Sequence, residues 1–95
     1  MLTSKQRASL RSMANDMDPI MQVGKSGIGE ELILSVGNAL EARELIKMSV
    51  LDTAPVTSRE AADALAEATG ADVVAVVGRR FVLYRESKKK KRIEL

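Results

Sequence analysis

The apolar and polar positions of this 95-residue chain fall into short blocks whose spacing alternates between helical and extended. Leu10, Met13, Ala14 and Met17 follow Thr3 at helical intervals, and Gln6, three residues after Thr3, completes a capping box. A first helix is predicted here, ending near Asn15 because Asp18-Pro19 disfavours continuation. Ile20 to Val23 reads as a short strand that runs into glycines. Leu32, Ile33, Val36, Ala39 and Leu40 then share one face of a second helix starting around Gly29 or Glu30. Glu30 and Glu31 stand where the positive end of its dipole favours acids. Gly37 in its middle costs about 1 kcal/mol relative to alanine, as a close-packing device or as a tolerated flaw.

Leu45, Ile46, Met48, Val50 and Leu51 predict a second strand. Thr57 with Glu60 makes another capping box, and Val56 with Ala61 a hydrophobic staple, opening a third helix over Ser58 to Thr69 that stops at Gly70. Val73 to Val77 and Arg80 to Arg85 are two β-rich runs joined at Gly78-Arg79, a tight hairpin with glycine at a position needing positive φ. The order is α-β-α-β-α-β-β. Helices between strands favour parallel neighbours and the hairpin an antiparallel pair, so a single α/β domain with a mixed four-stranded sheet is expected over residues 1–86. Residues 87–95 hold too few apolar side chains for core and read as a basic flexible tail.

Charge sharpens this picture. The formal net charge is only +2, but Asp52 to Asp72 carries one base against five acids, whereas Val73 to Arg92 carries eight bases against Glu86 alone. Such a division fits a side that faces a polyanion and a side that is solvated. The chain has neither cysteine nor histidine, so disulfides, thiolate nucleophiles, a histidine base and the usual zinc ligands are excluded; no catalytic residue, metal site or cofactor is expected. No apolar run reaches the roughly 20 residues that span a bilayer, and the first ten residues lack a signal-peptide core, so a cytoplasmic location without membrane contact is expected.

The stretch VGKSGIGEE, Val23 to Glu31, contains the GKS of a nucleotide-binding P-loop. That motif requires a glycine five residues before Gly24, where Pro19 stands, and the glycines at 24, 27 and 29 do not have the dinucleotide spacing either. Gly24-Lys25-Ser26-Gly27 between a strand and a helix remains. Two glycines let a backbone approach a sugar-phosphate chain closely, while Lys25 supplies charge and Ser26 a hydroxyl donor. A plain strand-to-helix turn would have the same letters. The only aromatic residues, Phe81 and Tyr84, lie inside the last apolar strand and read as core, so phosphate and shape recognition is expected with little base reading.

The succession KQRASLRSMA, VGKSG, LIKMSVL and VGRRFVLYR, followed by a basic end, closely resembles the bacterial single-domain YhbY-type CRM proteins, a family associated with chloroplast RNA splicing and ribosome maturation. The resemblance covers nearly the whole chain. It implies a fold similar to the C-terminal domain of translation initiation factor three, RNA binding, and association with precursors of the large (50S) ribosomal subunit. Carried over by position, Gly24, Lys25, Ser26 and Gly27 are the GxxG loop, and Lys5, Arg7, Arg11, Arg79, Arg80 and Lys88, Lys89, Lys90, Lys91 and Arg92 supply the surrounding field. Gly29 stands where many relatives have Thr or Ser, so the second helix lacks a side-chain cap. Arg85 and Lys47 border strands and read as solvated. The expectation is a monomeric, non-enzymatic protein that binds ribosomal RNA and takes no small-molecule substrate. The alternative is a protein-interaction module with a solubilising basic tail.

Overall fold

The computed structural model describes residues 2–95. Helix α1 (Ser4–Ala14) starts at Thr3, whose hydroxyl accepts from the Gln6 backbone while the Gln6 side chain accepts from the Thr3 backbone. Strand β1 (Met21–Val23) leads into α2 (Glu30–Arg43), β2 (Leu45–Val50), α3 (Ser58–Thr69), β3 (Asp72–Val77) and β4 (Arg80–Tyr84). Helix α3 has the expected reciprocal cap between Thr57 and Glu60, and Gly70 ends it at φ +73°. The α-β-α-β-α-β-β order holds throughout, with the strand ends moved by a residue or so.

The four strands form one mixed sheet in the order β1-β2-β4-β3. The pair β1 and β2, joined through α2, is parallel, and β4 is antiparallel to both its neighbours. Thus β2 and β3, joined through α3, point the same way, but the hairpin places β4 between them.

Alternation along the strands divides the apolar residues between two faces. Ile46, Met48 and Val50 of β2 and Phe81 and Leu83 of β4 bury against Val36 and Leu40 of α2 and Ala61, Ala62 and Leu65 of α3. Leu45, Val82 and Tyr84 turn the other way, where Leu10 and Ala14 of α1 cover them. Both aromatic rings are therefore core, as their positions in the chain predicted. A register shift between Val73 and Ala75 breaks the alternation of β3, so that Val74 and Ala75 both reach the α1 side.

Two cations expected to be solvated instead hold the layers together. Lys47 Nζ donates to the Ala14 and Met17 carbonyls at 2.9 and 3.1 Å, satisfying the end of α1 from the middle of the sheet. Arg85 donates from Nη1 to the Thr69 carbonyl at 2.8 Å and from Nη2 to the Gly37 carbonyl at 3.0 Å, fastening α3 and α2 to the end of β4. Lys47 lies inside β2 and Arg85 just past β4, and each strand aims its cation at open carbonyls.

The segment after β4, expected to be a flexible tail, has no helix or strand but is fastened at several points. Glu44, fully buried at the end of α2, accepts from the backbone N–H of Ser87 at 2.7 Å and of Arg92 and Ile93 at 2.6 Å. Glu41 accepts from the Ser87 hydroxyl and from the Lys88 and Lys89 backbones. Ser87 is buried and Ile93 packs on the α1-side core. The composition suggested freedom because backbone N–H groups, which every one of these residues carries, make the attachment.

Two outcomes are expected. Apart from its chain neighbours and its own helix backbone, no atom among the described residues lies within 4 Å of where a Gly37 side chain would begin, so packing against another element does not require this glycine. Gly37→Ala should raise stability by roughly 0.5–1 kcal/mol in urea unfolding. Burial pushes the Glu44 carboxyl up, but the hydrogen bonds from Ser87, Ile93 and Arg92 outweigh it and hold the group below its ordinary value near 4.5. A depressed folded-state value contributes stability that is fully present above pH 4.5 and lost as pH falls through that lower value. Wild type should therefore lose more unfolding free energy between pH 6 and about pH 3 than Glu44→Gln, whose side chain does not titrate.

Candidate nucleic-acid interface

Gly24 to Gly27 forms a tight turn, the Gly27 N–H donating to the Gly24 carbonyl at 2.9 Å. Lys25 and Ser26 occupy its tip, both exposed. The two glycines have different reasons to be there. Gly27 is buried at φ +70°, and a Cβ on it would stand 3.1 Å from Pro55 Cγ. Gly24 has no positive φ, and a Cβ there would make only an ordinary 3.6 Å contact with Leu51. The letters of a plain turn thus account for Gly27 and leave Gly24 unexplained by the fold.

Helix α2 begins beyond the turn with Gly29 as its N-cap and no side-chain cap hydrogen bond. Glu30 and Glu31 lie in its first turn and already offset the dipole, so attraction of an anion to this end falls chiefly to Lys25 and its neighbours.

Backbone contacts bring the β3–β4 turn to the same end of the sheet. The Leu51 N–H donates to the Val23 carbonyl at 2.9 Å, and the Val50 N–H to the Arg79 carbonyl at 2.7 Å. Ser58 Oγ, at the start of α3, donates to the Gly78 carbonyl at 2.8 Å and so fixes the turn, in which Gly78 has φ +58°. Arg79 and Arg80 are exposed there. Arg11, also exposed, reaches the same region along α1, because it and Arg80 line one groove with Val77.

The remaining basic residues lie farther from that end. Arg7 lines a groove along β3 together with Arg11 and Arg59, and Lys5 lies beside Glu94 and Leu95. Lys88 to Arg92 follow β4, which runs antiparallel to β2, and so emerge at the far end of the sheet, where their backbone binds Glu41 and Glu44. The 14 residues of α2 separate the two ends by about 21 Å, more than two screening lengths at physiological salt. The single field anticipated from the charge run is thus two basic groups.

The structure further supplies what sequence reasoning missed, the anchoring roles of Glu41, Glu44, Lys47 and Arg85. No local pattern marks them, since their partners are 16 to 49 residues away. Among the described residues no group of three or more His, Cys, Asp or Glu side chains is arranged to hold a metal ion. No helix there is long and apolar enough to cross a membrane.

Sequence comparison identifies the class to which this geometry belongs. The CRS1/YhbY (CRM) domain matches residues 2–85, and the chain belongs to that family. It is 46% identical over 95 residues to the probable RNA-binding protein YqeI of Bacillus subtilis, covering all of this chain and 99% of that one. It is 32% identical over 90 residues to an RNA-binding protein of Haemophilus influenzae, covering 95% and 91% of the two chains. Among solved structures, the hypothetical protein SAV1595 from Staphylococcus aureus superimposes with a TM-score of 0.80 at 48% identity, covering 100% of this chain and 99% of that one.

The two glycines should respond differently to substitution. Gly27→Ala should cost about 1–2 kcal/mol in chemical unfolding, through its left-handed φ and the nearness of Pro55, whereas Gly24→Ala should leave stability within about 0.5 kcal/mol of wild type.

Proposed function

We propose that this protein is a non-enzymatic RNA-binding protein that grips structured ribosomal RNA during assembly of the large (50S) ribosomal subunit. The observation that carries the reading is the convergence of Lys25 and Ser26 with Arg79, Arg80 and Arg11 at one end of the sheet. Lys25 neutralises a phosphate, Ser26 donates a hydrogen bond, and Gly24 lets the RNA backbone come close. The arginines extend the contact along the hairpin, and guanidinium groups suit phosphate geometry. The names of the relatives support RNA as the class of partner. The ribosomal target rests on the motif resemblance.

In this reading Lys88 to Arg92 contribute long-range attraction from the other end, while Lys5, exposed, and Arg7, half-buried, add charge along α1. The tail's lysines are all exposed, and the glutamates that hold it engage its backbone.

The test separates the two basic groups. In lysate fractionated on a ribosome gradient, wild type should travel with large-subunit precursors. The double variant Lys25→Glu, Arg79→Glu, in which both exposed sites leave the core intact, should stay at the top. Replacing Lys88 to Lys91 with glutamine should leave the gradient position unchanged at low salt, and should lower the slope of log K against log salt by roughly 0.7–0.9 for each phosphate no longer neutralised. Wild type remaining at the top would count against the ribosomal reading.

A further inference from the structure

Helix α1 covers only part of its face of the sheet. Its buried residues, Leu10 and Ala14, lie over Leu45, Val74, Val82 and Tyr84, toward the end where β4 finishes. Toward the hairpin, the same face carries a row of one residue from each strand. Gln22 pairs with Ser49, Ser49 with Arg80, and Arg80 with Val77, in the order β1-β2-β4-β3. None of the four is buried, and Val77 is 71% exposed. With strands about 4.8 Å apart the row is about 14 Å long, and it starts two residues before Gly24.

Where the row meets the end of α1 lies a groove of about 230 Å³. Ala75, Val77 and Val82 make an apolar floor, and Arg11, Arg80 and Asn15 stand around it. Among the described residues no carboxylate lines it. The volume is below the roughly 300 Å³ at which sites for drug-sized ligands begin, so the groove suits a single planar group. Two guanidiniums fit a ligand bearing phosphates, the floor fits an apolar ring face, and the Asn15 amide offers both a donor and an acceptor. Those are the features of one nucleotide. Unpaired RNA bases are held on guanidinium planes as well as on aromatic rings, so burial of Phe81 and Tyr84 does not remove the means.

We infer that this groove receives one unpaired nucleotide of the bound RNA, its base on the Ala75, Val77 and Val82 floor, with the adjoining backbone following the Gln22–Ser49–Arg80 row to the Gly24–Gly27 turn. The inference rests on the RNA-binding reading and adds a base contact to a surface otherwise expected to read phosphate and shape.

The experiment compares two RNA hairpins, identical except that one carries a single bulged adenosine, by fluorescence anisotropy with wild type, Val77→Asn and Asn15→Ala. Val77→Asn removes apolar floor without adding charge at an exposed edge-strand position, and thermal unfolding checks that each variant is folded. Wild type should bind the bulged RNA about tenfold more tightly than the paired one. Val77→Asn should bring that preference within about twofold while leaving affinity for the paired RNA unchanged, and Asn15→Ala should reduce it. Equal affinity of wild type for the two hairpins, or a preference that survives in folded Val77→Asn, overturns the groove while leaving the RNA-binding reading in place. Failure of wild type to bind either hairpin overturns both.

Discussion

A buried carboxylate at the end of α2 determines how the rest of the chain closes up. Glu44 has left the helix with φ +66°, a conformation that costs a non-glycine residue of the order of 1–3 kcal/mol, and none of its surface is exposed. Desolvation of its charge is offset by three backbone N–H donors, and charge-assisted bonds of this kind are among the stronger ones. Its own carbonyl accepts from Arg85, continuing the β2–β4 pairing beyond Tyr84. One residue thus ends a helix, begins a central strand and winds the chain end back to that helix. Because the donors are main-chain groups, the lysine side chains remain exposed, with Lys91 paired to Glu86 at 3.4 Å. Ile93 is drawn onto the α1-side core by the same attachment.

The second organising constraint is the length of α1. Its end is fixed by Lys47, whose ammonium takes up two carbonyls from a position in mid-sheet. A helix held there cannot also cover the hairpin end, and Ser49, Arg80 and Val77 stay open on that face. The opposite face, with α2 and α3 together, buries the larger set of apolar residues. Stability is therefore concentrated on one side of the sheet, and access on the other.

Much of this was legible in the order of residues because it is local. Two capping boxes, Gly70 beyond α3 and Gly78 in the hairpin act within a few positions of themselves, and each appears where its spacing indicated. The GxxG turn was legible too, although not the different needs of its two glycines, which depend on Pro55 and Leu51 across the sheet end. Strand order was hidden, since a helix between β2 and β3 fixes their direction but not whether β4 inserts. The bulge in β3 was hidden for a related reason, as Val73 to Val77 is apolar whichever face each residue takes. Lys47 and Arg85 looked solvated because a cation and the helix-end carbonyls it serves need no proximity in sequence. The attachment of Ser87 to Ile93 escaped notice because it uses atoms that side-chain chemistry does not reveal.

Gly24 is the point at which folding requirements and the proposed function separate. Gly27 is accounted for by backbone conformation and by the proline beside it, so its presence carries little information about a ligand. Gly24 has neither constraint, and its neighbour Leu51 would accept a methyl group at ordinary contact distance. A glycine that the fold does not need still exposes its backbone and carries extra conformational entropy in the unfolded chain. Close approach of an external chain supplies a physical reason for it. The carboxylates of Glu30 and Glu31 reinforce the argument, since with the dipole of α2 already offset, helix-end electrostatics alone would hold phosphate weakly. In the proposed reading, affinity at this end comes from Lys25 and the hairpin arginines at short range, with the RNA backbone lying close against the turn. Absence of a side chain at position 24 leaves that space open.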